Sequence, residues 1–224
     1  MNSLVKVCLR EGMNRSGVIL VSILLFALVA CGGDKKNSTA DVSSIEVPAE
    51  WGEAMVASTE KLKDAGANIV TVVTDMVVDL EAEKKSKDSF DISDRELFGP
   101  RGGKVTISGK VDVESKNGAN QYPREIKYKL NLLFEKYESD DGFALNGEYT
   151  YEGSLLVKSE TKARMSFKLK GKVAYKDAEG VYQLNTEITL VAELDDAKDD
   201  LSGTYEFKIN GQRITGNVIE FEDE

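Results

Sequence analysis

The sequence predicts an α+β domain: an N-terminal long helix packed in the concave face of a curved antiparallel meander of about seven strands, a half-barrel. Three observations carry this. Apolar residues recur at helical spacing between residues 48 and 85. From Val105 the period changes to two and holds almost to the C-terminus. The alternating runs are joined by short polar connections, which imply that each strand pairs with its neighbour in sequence.

The helix is read over residues 48–85. Pro48 suits a first helical position, with Glu50 and Glu53 at the positive end and Lys84 and Lys85 at the negative end. Trp51, Met55, Leu62, Ile69, Val73, Met76 and Leu80 are spaced mostly by 3, 4 and 7. Residues 65–68 (AGAN) are a weak point where the helix could divide. Residues 86–104 read as a linker punctuated by Gly99-Pro100 and Gly102-Gly103, with room for a short edge strand near Phe90 and Ile92.

Residues 105–221 read as the sheet. The first strand alternates through Val105, Ile107, Val111 and Val113, and the second through Ile126, Tyr128, Leu130, Leu132 and Phe134. The pattern continues to a short last strand around residues 214–221. The opposite face is Lys, Glu, Asp, Ser and Thr, as in an antiparallel sheet with one wet side. Asn210-Gly211 is the dipeptide of a type I′ hairpin.

Seven strands at about 4.8 Å make a sheet roughly 34 Å wide, whereas a helix is about 10–12 Å across. A flat sheet would leave most of its apolar face bare, so the sheet is expected to bend around the helix. Gly109, Gly147, Gly171 and Gly203 share the apolar face, and glycine inside a strand marks a bend or a close approach. A transmembrane barrel does not fit: seven is an odd count, and there are no aromatic girdles.

The N-terminus carries the strongest signal. Residues 17–30 (GVILVSILLFALVA) are uncharged and preceded by Lys6, Arg10 and Arg15. The run is short for a transmembrane helix, which needs about 20 residues, and suits the core of a secretory signal. It ends in Leu28-Val29-Ala30-Cys31-Gly32-Gly33. This resembles the lipobox of bacterial lipoproteins. The resemblance covers only these first residues. It implies removal of residues 1–30, acyl chains on Cys31, and a membrane as partner. Gly32, rather than Asp, follows the cysteine, so the resemblance implies the outer membrane. Met13 could be the true start in place of Met1, and Cys8 leaves with the signal either way. Residues 31–47 then serve as lipidated cysteine and flexible tether, and residues 48–224 as a single domain.

Composition excludes several functions. The 224 residues contain no histidine and two cysteines. That removes Ser-His-Asp and Cys-His catalysis and His-ligated metals. Residues 1–30 hold 3 basic and 1 acidic side chain, so the remainder holds 26 and 38, a balance of −12 that disfavours nucleic acid. Two acidic loops, residues 195–200 and 138–142, lack the spacing of a calcium loop and read as solvated turns. Many carboxylates are present, so a glycosidase-type pair is a remote option, but all the recognisable ones lie on the wet face or in turns. No catalytic, cofactor-binding or metal-ligating residue is therefore expected, and the chain is not expected to be an enzyme.

Six tyrosines (Tyr128, Tyr149, Tyr151, Tyr175, Tyr182 and Tyr205) fall on the apolar face, as core residues or as the lining of a ligand pocket. Two functions follow. One is an outer-membrane lipoprotein that binds a lipid, another hydrophobic ligand or an envelope protein. The other is a structural or assembly lipoprotein with a filled interior. The volume between helix and sheet discriminates them.

Overall fold

The computed structural model describes residues 28–34, 45–83, 89–115, 122–159, 161–195 and 200–219. They form one antiparallel sheet and one long helix, α1 (Thr59–Glu83), so the class is mostly β. Eight strands run as a meander: β2 (Phe90–Phe98), β3 (Gly102–Ser115), β4 (Arg124–Glu138), β5 (Ala144–Val157), β6 (Lys162–Lys176), β7 (Val181–Asp195), β8 (Asp200–Ile209) and β9 (Gln212–Ile219). A further strand, β1 (Leu28–Asp34), adds to the far side of β9. The order is β1-β9-β8-β7-β6-β5-β4-β3-β2, an open sheet with β1 and β2 as its edges.

The strands at β3 to β9 follow the period-two pattern. Their inward residues stack in rungs across the sheet, such as Leu130, Tyr151, Leu169, Ile188 and Phe207. All five are nearly inaccessible to solvent. Asn210 (φ 50) and Gly211 (φ 80) are both left-handed, as the type I′ turn between Ile209 and Gln212 requires. The Asn210 side chain also closes the neighbouring strand: its Oδ1 accepts from Asn185 N at 2.8 Å and its Nδ2 donates to Gln183 O at 2.8 Å.

The helix differs from its expected span. It begins at Thr59, not Pro48, and so Trp51 and Met55 lie outside it. The start is set by Ser58, whose Oγ accepts from Lys61 N at 3.2 Å while its carbonyl accepts from Leu62 N at 2.9 Å. This is an N-cap: it satisfies amide donors that the first turn leaves open. The seven-residue gap from Met55 to Leu62 fits a helical period by coincidence. Residues 65–68 do not break the helix. Gly66 packs directly on β8: a Cβ there would stand 2.7 Å from Phe207 Cδ2 and 3.1 Å from Ile209 Cδ1.

Residues 45–58 form a strap instead of the end of a tether and the start of a helix. Ile45 is buried, and its carbonyl accepts from Gln183 Nε2 at 2.8 Å. The Glu46 carbonyl accepts from Asn146 Nδ2 at 3.4 Å. Asn146, Ala174 and Gln183 share one rung of the outer face, and Ala174 is fully buried there. Residues Ala49–Trp51 make a single 3-10 turn, and Gly52 (φ 88) ends it. Met55 N then donates to Val181 O at 2.7 Å, beside the β6–β7 turn. The strap thus leads the chain from the outer face round that turn to α1 on the inner face.

The expected linker at residues 86–104 is largely sheet. β2 pairs with β3 from Phe90↔Val111 to Phe98↔Lys104, with a register shift between Ile92 and Arg95. Asp94 (φ 45) sits inside that bulge. The extra residue changes which side chains face inward, so the apolar alternation breaks after Ile92 and the strand is poorly marked in the sequence.

The sheet covers α1 widely. Leu62, Ala65, Ile69, Val70, Val72, Val73, Thr74, Met76, Val77 and Leu80 are all buried. At 100° per residue they span roughly 200° of the helix circumference, twice the stripe that packing on a flat surface needs. Among its described side chains only Thr59, Glu60, Asp64 and Asp75 are exposed.

Candidate functional site

Between helix and sheet, apolar side chains of α1 and of the inner sheet face form one buried cluster. Aromatic rings interlock there: Tyr151 stacks on Phe167 with centroids 5.3 Å apart, Phe143 on Tyr175 at 5.5 Å, and Tyr128 meets Tyr151 edge-on at 6.1 Å. The six tyrosines are all buried at 5% exposure or less, as expected for the apolar face.

Their hydroxyls divide into two groups. Two are tied into the core. Thr186 Oγ1 donates to Tyr149 Oη at 3.1 Å, with both residues buried. Asn68 Nδ2 donates to Tyr175 Oη at 2.8 Å, a contact that fixes α1 to β6. Burial pushes the Tyr175 phenol up to about 12, against the Asn68 hydrogen bond, and raises Tyr149 further. Both phenols therefore stay protonated near neutral pH. Tyr128 is different: its hydroxyl is buried and has no hydrogen-bond partner among the described residues.

The glycines of the inner face have a more local role than contact with the helix. A Cβ at Gly109 would stand 2.1 Å from Lys129 O, at Gly171 2.0 Å from Glu148 O, and at Gly203 2.3 Å from Val191 O. In each case the obstacle is the backbone of the adjacent strand, so these positions let neighbouring strands approach closely.

Two open grooves lie on the outer face, and neither lies between α1 and the sheet. The larger, about 620 Å³, crosses five strands. Its floor is set by two small residues, Ser154 and Ser166, paired across β5 and β6 with hydroxyls 3.1 Å apart. Lys127, Lys129, Glu152 and Lys168 stand around them. The smaller groove, about 300 Å³, contains Thr106, Asn131, Thr150 and Lys170. Both are troughs between long charged side chains, with signs interleaved rather than sorted.

Charge on this face is spent in cross-strand pairs. Lys168 contacts Glu187 at 2.9 Å, Lys127 contacts Glu114 at 2.9 Å, and Arg213 contacts Glu206. The Lys168 hydrogen bond holds the Glu187 carboxyl below its ordinary value, and the Arg213 hydrogen bond does the same for Glu206. Such carboxylates stay ionised at neutral pH, whereas a general acid needs the opposite shift.

Of the two acidic loops, residues 196–199 of the first lie outside the described residues. The other is the β4–β5 turn, where Ser139 N donates to Phe143 O at 2.9 Å. Among the described residues no group of three or more His, Cys, Asp or Glu is placed to hold a metal ion, and no helix is long and apolar enough to cross a membrane.

Cys31 falls inside β1. The backbone pairs run Leu28↔Val218, Val29↔Asn217 and Ala30↔Gly216, then resume at Gly33↔Ile214 and Asp34↔Arg213. The register shifts between Ala30 and Gly33, at Cys31-Gly32. The expected tether of residues 31–47 is thus engaged at both ends, and residues 35–44 lie outside the described residues. Sequence reasoning missed this strand because the lipobox pattern accounts for the same residues. Compared with protein-family models, with curated proteins and with solved structures, the chain matches none.

Proposed function

We propose that this chain is an outer-membrane-anchored, non-catalytic lipoprotein with acyl chains on Cys31, and that its domain offers its outer surface to an envelope protein. The address rests on residues 17–30 and on Leu28-Val29-Ala30-Cys31. Two or three acyl chains at one cysteine hold a protein firmly, since each buried CH₂ contributes about 0.8 kcal/mol.

One observation supports a structural or assembly role: apolar side chains of α1 and of the inner sheet face pack against one another in a single buried cluster. We read the sheet as a half-barrel wrapped on α1, and the buried arc of the helix supports that shape. A carrier of lipid needs a cavity of several hundred Å³ lined by apolar groups. The two grooves are on the charged face instead. The reading as a lipid or hydrophobic-ligand carrier keeps one specific support, the Tyr128 hydroxyl, which has no partner among the described residues. A carboxylate-based hydrolase has less support, since Glu187 and Glu206 are held ionised by cationic neighbours.

The address is tested by growing cells on an alkyne fatty acid. The wild-type protein should take up label and fractionate with membranes. Cys31→Ala should be unlabelled and soluble, and a variant that stays in the membrane would sink the lipoprotein reading. Native mass spectrometry of the Cys31→Ala domain then separates the two roles. A bare mass supports the filled interior, and a co-purified lipid supports the carrier.

A further inference from the structure

The two edges of the sheet are built differently. β2 is a guarded edge: it carries the bulge at Asp94, and Asp91, Asp94 and Glu96 are exposed along it. Bulges and charges are devices that keep an edge from pairing with other strands. β9 has neither a bulge nor a proline, and its only charge is Arg213 at the turn end. Residues 214–219 are uncharged, the kind of edge that invites pairing if left open. In the full chain it is covered by β1.

Cleavage before Cys31 divides β1. Residues 28–30 would leave, and the three pairs with residues 216–218 would leave with them. Residues 31–34 would stay, held by Gly33↔Ile214 and Asp34↔Arg213. The acylated cysteine is then two residues from a position fixed on β9. At about 3.3–3.6 Å per residue its reach from that position is about 7 Å. A free tether of some sixteen residues would instead have a mean reach of about 22 Å.

Resting on the lipoprotein reading, we propose that the mature domain is held at its β9 side, with β9 against the headgroups of the bilayer and β2 farther from it. Two independent features agree. The anchor is attached at β9, and β9 is the uncharged edge of a strongly acidic domain. An anionic leaflet repels the acidic β2 edge and tolerates the uncharged residues 214–219 of β9. The bilayer surface then covers the open residues 216–218, as β1 does in the precursor.

The test uses the acylated protein, purified from bacterial membranes, in vesicles of phosphatidylethanolamine and phosphatidylglycerol containing a nickel-chelating headgroup lipid. Spin labels are placed singly at Asn217→Cys on β9 and Asp91→Cys on β2, both exposed positions on the outer face. The two strands are seven strand spacings apart, about 34 Å along the sheet. Relaxation by headgroup nickel should be several-fold stronger at position 217 than at 91. Equal relaxation at both would overturn the orientation. A Gly/Ser linker of a dozen residues inserted after Gly32 should abolish the difference, and a difference that survives the linker would overturn the role of the Gly33 and Asp34 pairing. Failure of the protein to float with vesicles would instead remove the anchor reading, and this proposal with it.

Discussion

Gly171 of β6 stands directly opposite Tyr149 of β5, and the tyrosine ring lies where a side chain at residue 171 would have to go. A Cβ on Gly171 would stand 2.6 Å from Tyr149 Cδ1 and 2.0 Å from the carbonyl oxygen of Glu148. The same relationship recurs at Gly216, whose Cβ would meet the Tyr205 hydroxyl at 2.4 Å. An aromatic ring over a cross-strand glycine restores the apolar cover that the glycine lacks.

Gly171→Ala should therefore be costly although it adds one methyl group. The ring of Tyr149 could rotate, but the carbonyl of Glu148 belongs to the β5 backbone and cannot move without disturbing the ladder. Overpacking of this kind costs about 1–3 kcal/mol, or a fall of about 2–12 °C in melting temperature for a domain of this size. Gly171→Val should fall further. Thermal melts followed by circular dichroism decide it, and an unchanged melting temperature in both variants would remove the bend from residue 171.

Ser58→Ala separates the two readings of the helix by sign. If Ser58 is the N-cap, the change leaves Lys61 N without its acceptor and costs about 0.5–2 kcal/mol. If the helix ran from Pro48, residue 58 would be interior, and alanine would be neutral or stabilising by helix propensity. Urea denaturation should give a lower midpoint with an unchanged slope.

The legible parts of the fold were those where one face is uniformly apolar and the other uniformly polar. Strands β3 to β9 and the Asn210-Gly211 turn meet that condition, so period and turn chemistry place them. What failed shares a physical cause. In β2 the bulge at Asp94 shifts the alternation midway. In the strap, Ile45 and Pro48 are buried by crossing the outer face, an arrangement with no sequence period. The helix start depended on one hydroxyl at Ser58, while Trp51 and Met55 kept the helical spacing from outside the helix. The strand over Cys31 was hidden because the lipobox pattern accounts for the same residues.

The Lys61–Asp177 contact predicts how the domain responds to acid. Lys61 Nζ lies 2.8 Å from Asp177 and 2.9 Å from Glu179, which joins the first turn of α1 to the β6–β7 turn. Burial alone would raise the Asp177 carboxyl. The hydrogen bonds from Lys61 and from the amides of Glu179 and Gly180 outweigh that, and its net shift is downward. A carboxyl lowered in the folded state contributes stability that is present above its unfolded value, about 3.9, and is lost as pH falls through the folded value. Unfolding free energy should decline below about pH 4, and Asp177→Asn should be less stable at neutral pH with a shallower acid limb. Lys61 is raised, chiefly by the Asp177 hydrogen bond, so its contribution persists below the unfolded lysine value of about 10.4 and fades only in stronger alkali. Parallel acid limbs for wild type and Asp177→Asn would count against the contact as the link between helix and turn.

The buried tyrosine hydroxyls test whether the interior is a finished core. Thr186 Oγ1 donates to Tyr149 Oη, so removing Thr186 strands the phenol, whereas Thr186 itself keeps the Gly171 carbonyl at 3.4 Å as a second acceptor. Thr186→Val should cost about 1–3 kcal/mol by leaving the Tyr149 phenol unpaired. Adding Tyr149→Phe to that variant should recover much of the loss, because two apolar groups of similar shape replace the pair. The coupling in the double-mutant cycle is expected at about 0.5–3 kcal/mol. Tyr128→Phe should behave in the opposite way. Its hydroxyl has no partner among the described residues, so deleting it should leave stability unchanged or raised. If Tyr128→Phe instead lowers the stability of the protein isolated from cells, and the loss disappears after delipidation, the hydroxyl is bonded to a carried molecule. The interior would then belong to a ligand, and the reading as a filled structural domain would give way to the carrier.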